Sequence, residues 1–262
     1  MKNTPGTPEK RNLDEKTRAF DEGYFHSGNY ESVNFGRFSQ YWWARRYYAG
    51  LVRRFKRSGR VLEIGCGLGH LLLRLEKGFE TYGIDVSEFA IERAREAAPS
   101  AHLQVMPAQD IDTFEQGFFD AIVGLHVIEH LEDPESVLRK CAHISKPGAL
   151  ILLATPNLRA PFIRLKGSEW HGYKDPTHIN LKYPEEWRRL VEASGYRVLK
   201  LFSDGLWNVP YLPWIPAKLQ LAVFGLPAAL QLAVGGAFNP IRLGESAIII
   251  ARKVDAKAKE SP

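Results

Sequence analysis

Two neighbouring stretches, Arg60-Val-Leu-Glu-Ile-Gly-Cys-Gly-Leu-Gly-His70 and Gly83-Ile-Asp85-Val-Ser87, limit what this chain can fold into more than anything else in it. Val61 to Ile64 forms a short apolar run that enters a turn with glycines at 65, 67 and 69, and a second apolar run ends in Asp85. Glycine reaches positive φ and carries no Cβ, so this backbone can bend tightly and lie against a ligand. An acid at the carboxyl end of the adjacent strand is placed to accept hydrogen bonds from a ribose diol. Together they read as a nucleoside pocket. A nicotinamide dinucleotide fits the spacing poorly, because G-x-G-x-x-G requires a third glycine where His70 stands. Glu63, two residues before the first glycine, would repel a pyrophosphate and could hold a cationic amino-acid moiety.

The string Glu63-x-Gly65-x-Gly67-x-Gly69 resembles the first motif, E/D-x-G-x-G-x-G, of the class I S-adenosylmethionine-dependent methyltransferases. That resemblance implies a doubly wound, seven-stranded, mostly parallel sheet and S-adenosyl-L-methionine as cofactor. It places Glu63, Gly65, Cys66, Gly67, Gly69, Asp85 and Val86 against the cofactor. It also implies that Asp110 hydrogen-bonds the adenine amino group, with Gln109 or Ala108 contacting the ring. Apolar runs at 61–64, 81–84, 102–106, 120–125 and 149–154 alternate with helical patterns near 68–77, 87–97 and 134–144, as parallel strands with crossover helices require. Asp133-Pro134 opens the last of these helices, and another runs from Pro184 to Gly195. Tyr196–Phe202 and Ser246–Arg252 supply strands six and seven, an antiparallel edge pair in the family.

The segment Phe119-Asp120…His126-Val-Ile-Glu129-His130 resembles the F-D-x-V…E-H segment of the ubiquinone-biosynthesis O-methyltransferases and their small-molecule relatives. Some of those carry E-x-x-E-H with a divalent metal proposed at the acids. His126 takes the first acid's place here, and no metal is expected. Strand four would deliver His126 to the rim beside the sulfonium, with His130 just beyond it. A second polar string, Trp170-His171-Gly-Tyr173-Lys-Asp175-Pro-Thr177-His178, lies in a connection, where functional residues gather. An imidazole titrates near neutrality, so His178 oriented by Asp175 is a candidate general base, with His171 as its substitute. The [N/D/S]-P-P-[Y/F/W] string of amino-methylating enzymes on nucleic-acid bases is absent, which argues against a nucleic-acid substrate.

The chain's 262 residues suit one domain over 21–252 with tails at 1–20 and 253–262. Cys66 and Cys141 give no disulfide framework, and Met1 to Glu22 has no apolar leader pattern, so a cytoplasmic protein is expected. The net charge of +5 is concentrated: Arg37 to Arg60 holds eight Lys/Arg and no acid, interleaved with seven aromatics. In the bland arrangement Phe38, Tyr41, Trp42, Tyr48, Val52 and Phe55 pack on the sheet. In the other, the helix meets an anionic membrane, nucleic acid or substrate. Residues 203–245 form a Pro-rich insert, uncharged from Leu219 to Ile241. A single membrane crossing there would separate strands six and seven, so a lid, a dimer contact or an interfacial element is expected.

The reading with most support is O-methylation of a small or lipid-linked molecule, with peripheral contact at the inner membrane face left open. A glycan or nucleotide-sugar acceptor, a non-catalytic S-adenosylmethionine-binding module on RNA or membrane, and a nicotinamide oxidoreductase are the competing readings. Oligomeric state is not legible.

Overall fold

The computed structural model describes residues 36–255 together with Phe20 and Gly23. The tail expected at 1–20 therefore falls almost wholly outside the described residues, as does most of that at 253–262. Seven strands form one sheet: β1 (Gly59–Ile64), β2 (Phe79–Asp85), β3 (His102–Val105), β4 (Phe119–Leu125), β5 (Ser145–Pro156), β6 (Tyr196–Ser203) and β7 (Ser246–Lys253). Their order is β3-β2-β1-β4-β5-β7-β6. β7 runs antiparallel between β5 and β6, and the other ladders are parallel. The order reverses between β1 and β4, which opens the crevice of a doubly wound sheet at their carboxyl ends.

Seven helices matter to the argument: α1 (Gln40–Phe55), α2 (His70–Leu75), α3 (Glu88–Ala97), α4 (Pro134–Ile144), α5 (Pro184–Ala193), α6 (Ala217–Phe224) and α7 (Leu226–Ala233). Local chemistry sets their starts. Ser39, Ser87 and Asp133 accept hydrogen bonds from the amides of Trp42, Ala90 and Ser136, satisfying first-turn donors that have no partner within the helix. Pro134 and Pro184 stand at first helical positions, where a missing N–H costs nothing.

Two apolar layers sandwich the sheet. On one side Val137, Leu138 and Cys141 of α4 and Trp187 and Val191 of α5 meet Leu62, Ile122, Ile151 and Ile249. On the other, Tyr48, Leu51 and Val52 of α1 and Leu71 and Leu75 of α2 meet Val61, Val123, Leu152 and Ile250, with Leu232 and Ala237 of the insert alongside. The buried stripe of α1 differs from the expected one. Tyr47, Tyr48, Leu51 and Val52 point inward, while Phe38 is exposed and tilted against Trp42, whose ring also meets Trp43. The helix is turned so that its first aromatics pack mainly on each other.

The closed end of the sheet is pinned by Asp120, buried at the start of β4. Its carboxylate receives Lys56 Nζ at 2.9 Å, Lys146 Nζ at 2.6 Å and the Arg60 amide at 3.0 Å, joining the end of α1 to β1, β4 and β5. Burial alone would raise this carboxyl, but the two lysines and the amide bring it down to about 2. A depressed carboxyl stabilises the fold above its unfolded pKa and loses that contribution as pH falls through the folded value. Asp120→Ala leaves two lysines and an amide without their acceptor. It is expected to cost about 2–4 kcal/mol at pH 7 in urea unfolding, a penalty that shrinks between pH 4 and pH 2.

Candidate active site

The crevice is built from the turn after β1. Gly65, Gly67 and Gly69 all take positive φ (66°, 50° and 75°). At two of them the space is also closed: a Cβ on Gly65 would stand 2.4 Å from Val127 Cγ2, and one on Gly69 would stand 2.9 Å from Ala94 Cα. Gly65 thus lets the turn approach the segment after β4, and Gly69 lets α2 begin against α3. The Cys66 amide donates to the Ile84 carbonyl at 3.0 Å, fastening the turn to β2. Cys66 Sγ is buried and burial pushes its thiol upward, so it behaves as packing.

Asp85 ends β2 with both carboxylate oxygens directed at backbone. Oδ2 accepts the Gly67 amide at 2.8 Å and Oδ1 accepts the Ser87 amide at 2.9 Å. Each oxygen has a second lone pair, which leaves the carboxylate able to accept from a diol. Val86, partly exposed, follows directly. Met106 donates its amide to the Asp85 carbonyl at 2.9 Å, which brings the turn at Ala108–Thr113 to the same rim. Ala108 is buried there, whereas Gln109 and Asp110 are exposed.

Glu63 lies below the turn, 2% exposed, and its Oε2 has no hydrogen-bond partner. Burial raises its carboxyl to about 8, against a lowering by the charge of Arg45 on α1 and a raising by Asp85. A carboxyl at this depth with one oxygen lacking a partner fits the aminium of an amino acid. A bent, Cβ-free turn and a diol-accepting acid fit a nucleoside. The residues present therefore match S-adenosylmethionine, the group that the motif resemblance implies. Arg45 did not stand out in the sequence as a site residue. Its position in a basic run masked it, and only the packing of α1 beside β1 brings its charge to Glu63.

The residue after β4 is His126, held at φ 58°, a left-handed conformation that costs a non-glycine residue about 1–3 kcal/mol and gathers at functional sites. Its amide continues the ladder by donating to the Ala154 carbonyl at 2.8 Å. Its Nδ1 stands 3.2 Å from Glu129 Oε1 and its Nε2 3.4 Å from Ser246 Oγ, with the side chain 34% exposed. Glu129 is fully buried. Burial would raise its carboxyl, but the His126 hydrogen bond and charge hold it below the usual carboxylate range. Asp204, just after β6, accepts the Ser246 amide at 2.8 Å and is raised by burial to about 6. Asp204 and Ser246 escaped the sequence reading because both lie at the ends of the antiparallel edge pair, remote in sequence from every motif.

The polar string 170–180 folds across this rim. The Asn180 amide donates to the Glu129 carbonyl at 2.9 Å, and the Thr177 hydroxyl meets His130 Nδ1 at 2.9 Å. His178 is enclosed, its Nδ1 donating to the Gly172 carbonyl at 2.8 Å and its Nε2 standing 3.9 Å from Asp175 Oδ2. Thr177 also donates its amide to Asp175 Oδ1, and these bonds outweigh burial in keeping the Asp175 carboxyl low. Trp170 is wholly buried and donates its indole N–H to Glu245 Oε2 at 2.7 Å; His171 Nδ1 lies 3.6 Å from the same oxygen. Burial pushes His171 down to about 3, which makes it a weak proton acceptor. Much of this string thus anchors the loop. Ligand atoms of Glu129, His130 and His178 lie within 4.8 Å of one another, a grouping that could hold a metal ion.

The methyltransferase domain family matches residues 38–201, more than half of the chain, and the chain belongs to that family. Among curated proteins it is 31% identical over 153 residues to a ubiquinone biosynthesis O-methyltransferase of Thiobacillus denitrificans, covering 54% of this chain and 66% of the relative. It is 33% identical over 103 residues to one from Bordetella avium, covering 37% and 43%. The chain thus spans just under two thirds of the first relative's length and under half of the second's. Among solved structures it resembles a SAM-dependent methyltransferase from Archaeoglobus fulgidus at 24% identity and TM-score 0.56, over 80% of this chain and 94% of that one. The cyclase SpnF shares the fold at 20% identity and TM-score 0.57 over 93% of each chain. A fold shared with a cyclase does not fix the reaction; the site must.

A carboxyl raised as far as that of Glu63 opposes folding increasingly as pH rises from the ordinary carboxylate value to about 8, and a bound cation reverses that. S-Adenosylhomocysteine should therefore bind more tightly as pH rises from 6 to 8, by at most about tenfold per unit, with proton release into the buffer. Titration calorimetry in buffers of different ionisation enthalpy reads this directly, and Glu63→Gln should remove both the proton release and the slope.

Proposed function

We propose that the protein is an S-adenosylmethionine-dependent methyltransferase acting on a hydroxyl oxygen of a small or lipid-linked molecule, with His126 as general base. The observation that carries this reading is the pairing of an imidazole one-third exposed with the fully buried Glu129 carboxylate at the open end of β4. Relatives named as ubiquinone biosynthesis O-methyltransferases support an oxygen acceptor. A lipid-linked acceptor implies peripheral contact with the inner face of a membrane.

When bound, the cofactor supplies an electrophilic methyl group on a sulfonium. Glu63, the turn at Gly65, Gly67 and Gly69, and Asp85 hold its two ends, while Val86, Ala108, Gln109 and Asp110 border the base. With Nδ1–H donated to Glu129, Nε2 of His126 accepts from the Ser246 hydroxyl. When the acceptor's hydroxyl displaces that contact, the same lone pair would take its proton as the oxygen gains the methyl group and the sulfur–methyl bond breaks with its electron pair left on sulfur. Glu129 fixes the tautomer and stabilises the imidazolium that results, the logic by which a buried acid supports a histidine base. Asp204 lies close enough to lower the energy of the same cation, and the two are coupled electrostatically. Positioning remains the larger task, since an in-line displacement depends on the alignment of three atoms. His130, His178 and Asp175 complete the rim through the Thr177 and Gly172 contacts, with His178 as the second choice for the base.

His126→Ala should lower turnover by about 100- to 10,000-fold on a panel of phenolic and lipid-linked hydroxyl acceptors, a far larger change than in S-adenosylhomocysteine affinity. Glu129→Gln should lower it in the same direction. If His126→Ala keeps full rate while His178→Ala loses it, the base is His178. Asp85→Ala should abolish cofactor binding, and with it turnover on every acceptor.

A further inference from the structure

α1 and α2 lie side by side over one face of the sheet, and between them runs a groove of about 600 Å³. Arg46 and Arg53 of α1 line it with Arg74 of α2 and Lys77, together with Trp42 and Leu73. Four cations and no acid border it. The Arg74 guanidinium lies over the Trp42 ring, 4.5 Å from its centroid, and its buried Nε has no hydrogen-bond partner. Arg53 donates to the Arg74 carbonyl, so one arginine holds the backbone that presents another. Like charges gathered with a donor left unsatisfied suit a ligand of dispersed negative charge, such as phosphate.

The carrier of that phosphate is indicated by what adjoins the groove. Arg54 of α1 donates to the Gly235 carbonyl at 3.1 Å and the Tyr47 hydroxyl to the Gly236 carbonyl at 2.7 Å, which ties the end of α7 to α1, with Leu232 of α7 in the same apolar layer; α6 packs on α7. The polarity of this helix pair is inverted. Gln220 is buried, accepting the amides of Tyr211 and Leu212 and donating to the carbonyls of Leu212 and Ile215. Gln231 is likewise buried, bonded to the amides of Phe238 and Asn239 and to the Ser203 carbonyl. Leu219, Leu226, Leu230 and Val234 face outward, each more than half exposed, with no charged residue between Leu219 and Ile241. Helices that turn glutamines inward and leucines outward suit a medium more apolar than water. RNA would satisfy the arginines and leave these aliphatic side chains without a partner. No helix among the described residues is long and apolar enough to cross a membrane.

We propose that the outer face of α2, α1 and the α6–α7 pair docks on a bilayer of anionic phospholipid. Headgroup phosphates enter the groove at Arg46, Arg53, Arg74 and Lys77, while Leu226, Leu230 and Val234 enter the acyl boundary. None of the residues lining the groove belongs to the Glu63, Asp85 and His126 site, and the docking does not depend on the acceptor.

The test is sedimentation with vesicles of phosphatidylcholine alone and of phosphatidylcholine mixed with phosphatidylglycerol. The wild-type protein should bind the mixed vesicles, weakly bind the neutral ones, and on the mixed ones fall with rising salt to the weak binding seen on neutral vesicles. Arg46→Ala/Arg53→Ala/Lys77→Ala should lower partitioning to the mixed vesicles by about a hundredfold, given the usual worth of a basic residue at an anionic surface. Leu226→Ser/Leu230→Ser/Val234→Ser, which leaves the groove intact, should abolish the binding that remains at high salt. S-Adenosylhomocysteine affinity should be the same in all three proteins, so that a failure of the cofactor reading is seen separately. No sedimentation at low salt, equal sedimentation of the wild type and the arginine variant, or capture by polyuridylate in place of vesicles would each overturn the proposal.

Discussion

The Asp85 carboxylate holds together the part of the molecule on which everything else depends. Its two oxygens take the amides of Gly67 and Ser87, so one side chain fixes both the glycine turn after β1 and the entry to α3. The Cys66–Ile84 backbone bond reinforces this junction. Burial raises the Asp85 carboxyl, and backbone hydrogen bonds from Ser87, Gly67 and Val86 oppose that rise. A pocket of backbone and one acid is rigid before any ligand arrives, which lowers the ordering cost of binding. Glu63 sets the other boundary condition, since its buried oxygen is left unsatisfied by the protein itself.

The opposite wall is made differently. His126 occupies a strained backbone position that the β4–β5 ladder on one side and Glu129 on the other keep in place. Glu129 is in turn held by the crossing segment, through the Asn180 amide on its carbonyl and the His130–Thr177 contact beside it. Trp170 and Glu245 root that segment in the fold, a fully buried indole donating to a buried carboxylate. The chemistry proposed for His126 therefore depends on residues scattered over more than a hundred positions, whereas the glycine turn with Glu63 and Asp85 lies within about twenty-five.

This difference explains what was legible. The strands were readable because each is a short apolar run between polar turns. They were displaced by only a residue or two, except β5, which begins at Ser145: that residue pairs with Phe119, and the ladder resumes at Leu150 after a register shift. Glu63, the glycines and Asp85 were readable because backbone geometry demands glycine and spacing places the acid. The stripe of α1 was misjudged, since Tyr47 and Leu51 replace Phe38 and Tyr41 on its inner face. Helical period alone leaves the rotation of an aromatic-rich helix open. Nor could hydropathy show that the insert turns Gln220 and Gln231 inward, because an apolar sequence does not say which of its faces meets the protein.

The sequence alone determined the sheet's layout and the nucleoside cradle, since strand period, glycine φ and the spacing to one acid are properties of neighbouring residues. Tertiary structure decided that the most exposed of the carboxylate-paired histidines at the rim is His126, that Arg45 lends its charge to Glu63, and that arginines from two helices share a groove beside an inverted helix pair. Those are pairings across chain distance. They arise only when packing brings separate elements within a few ångströms and strips the water from between them.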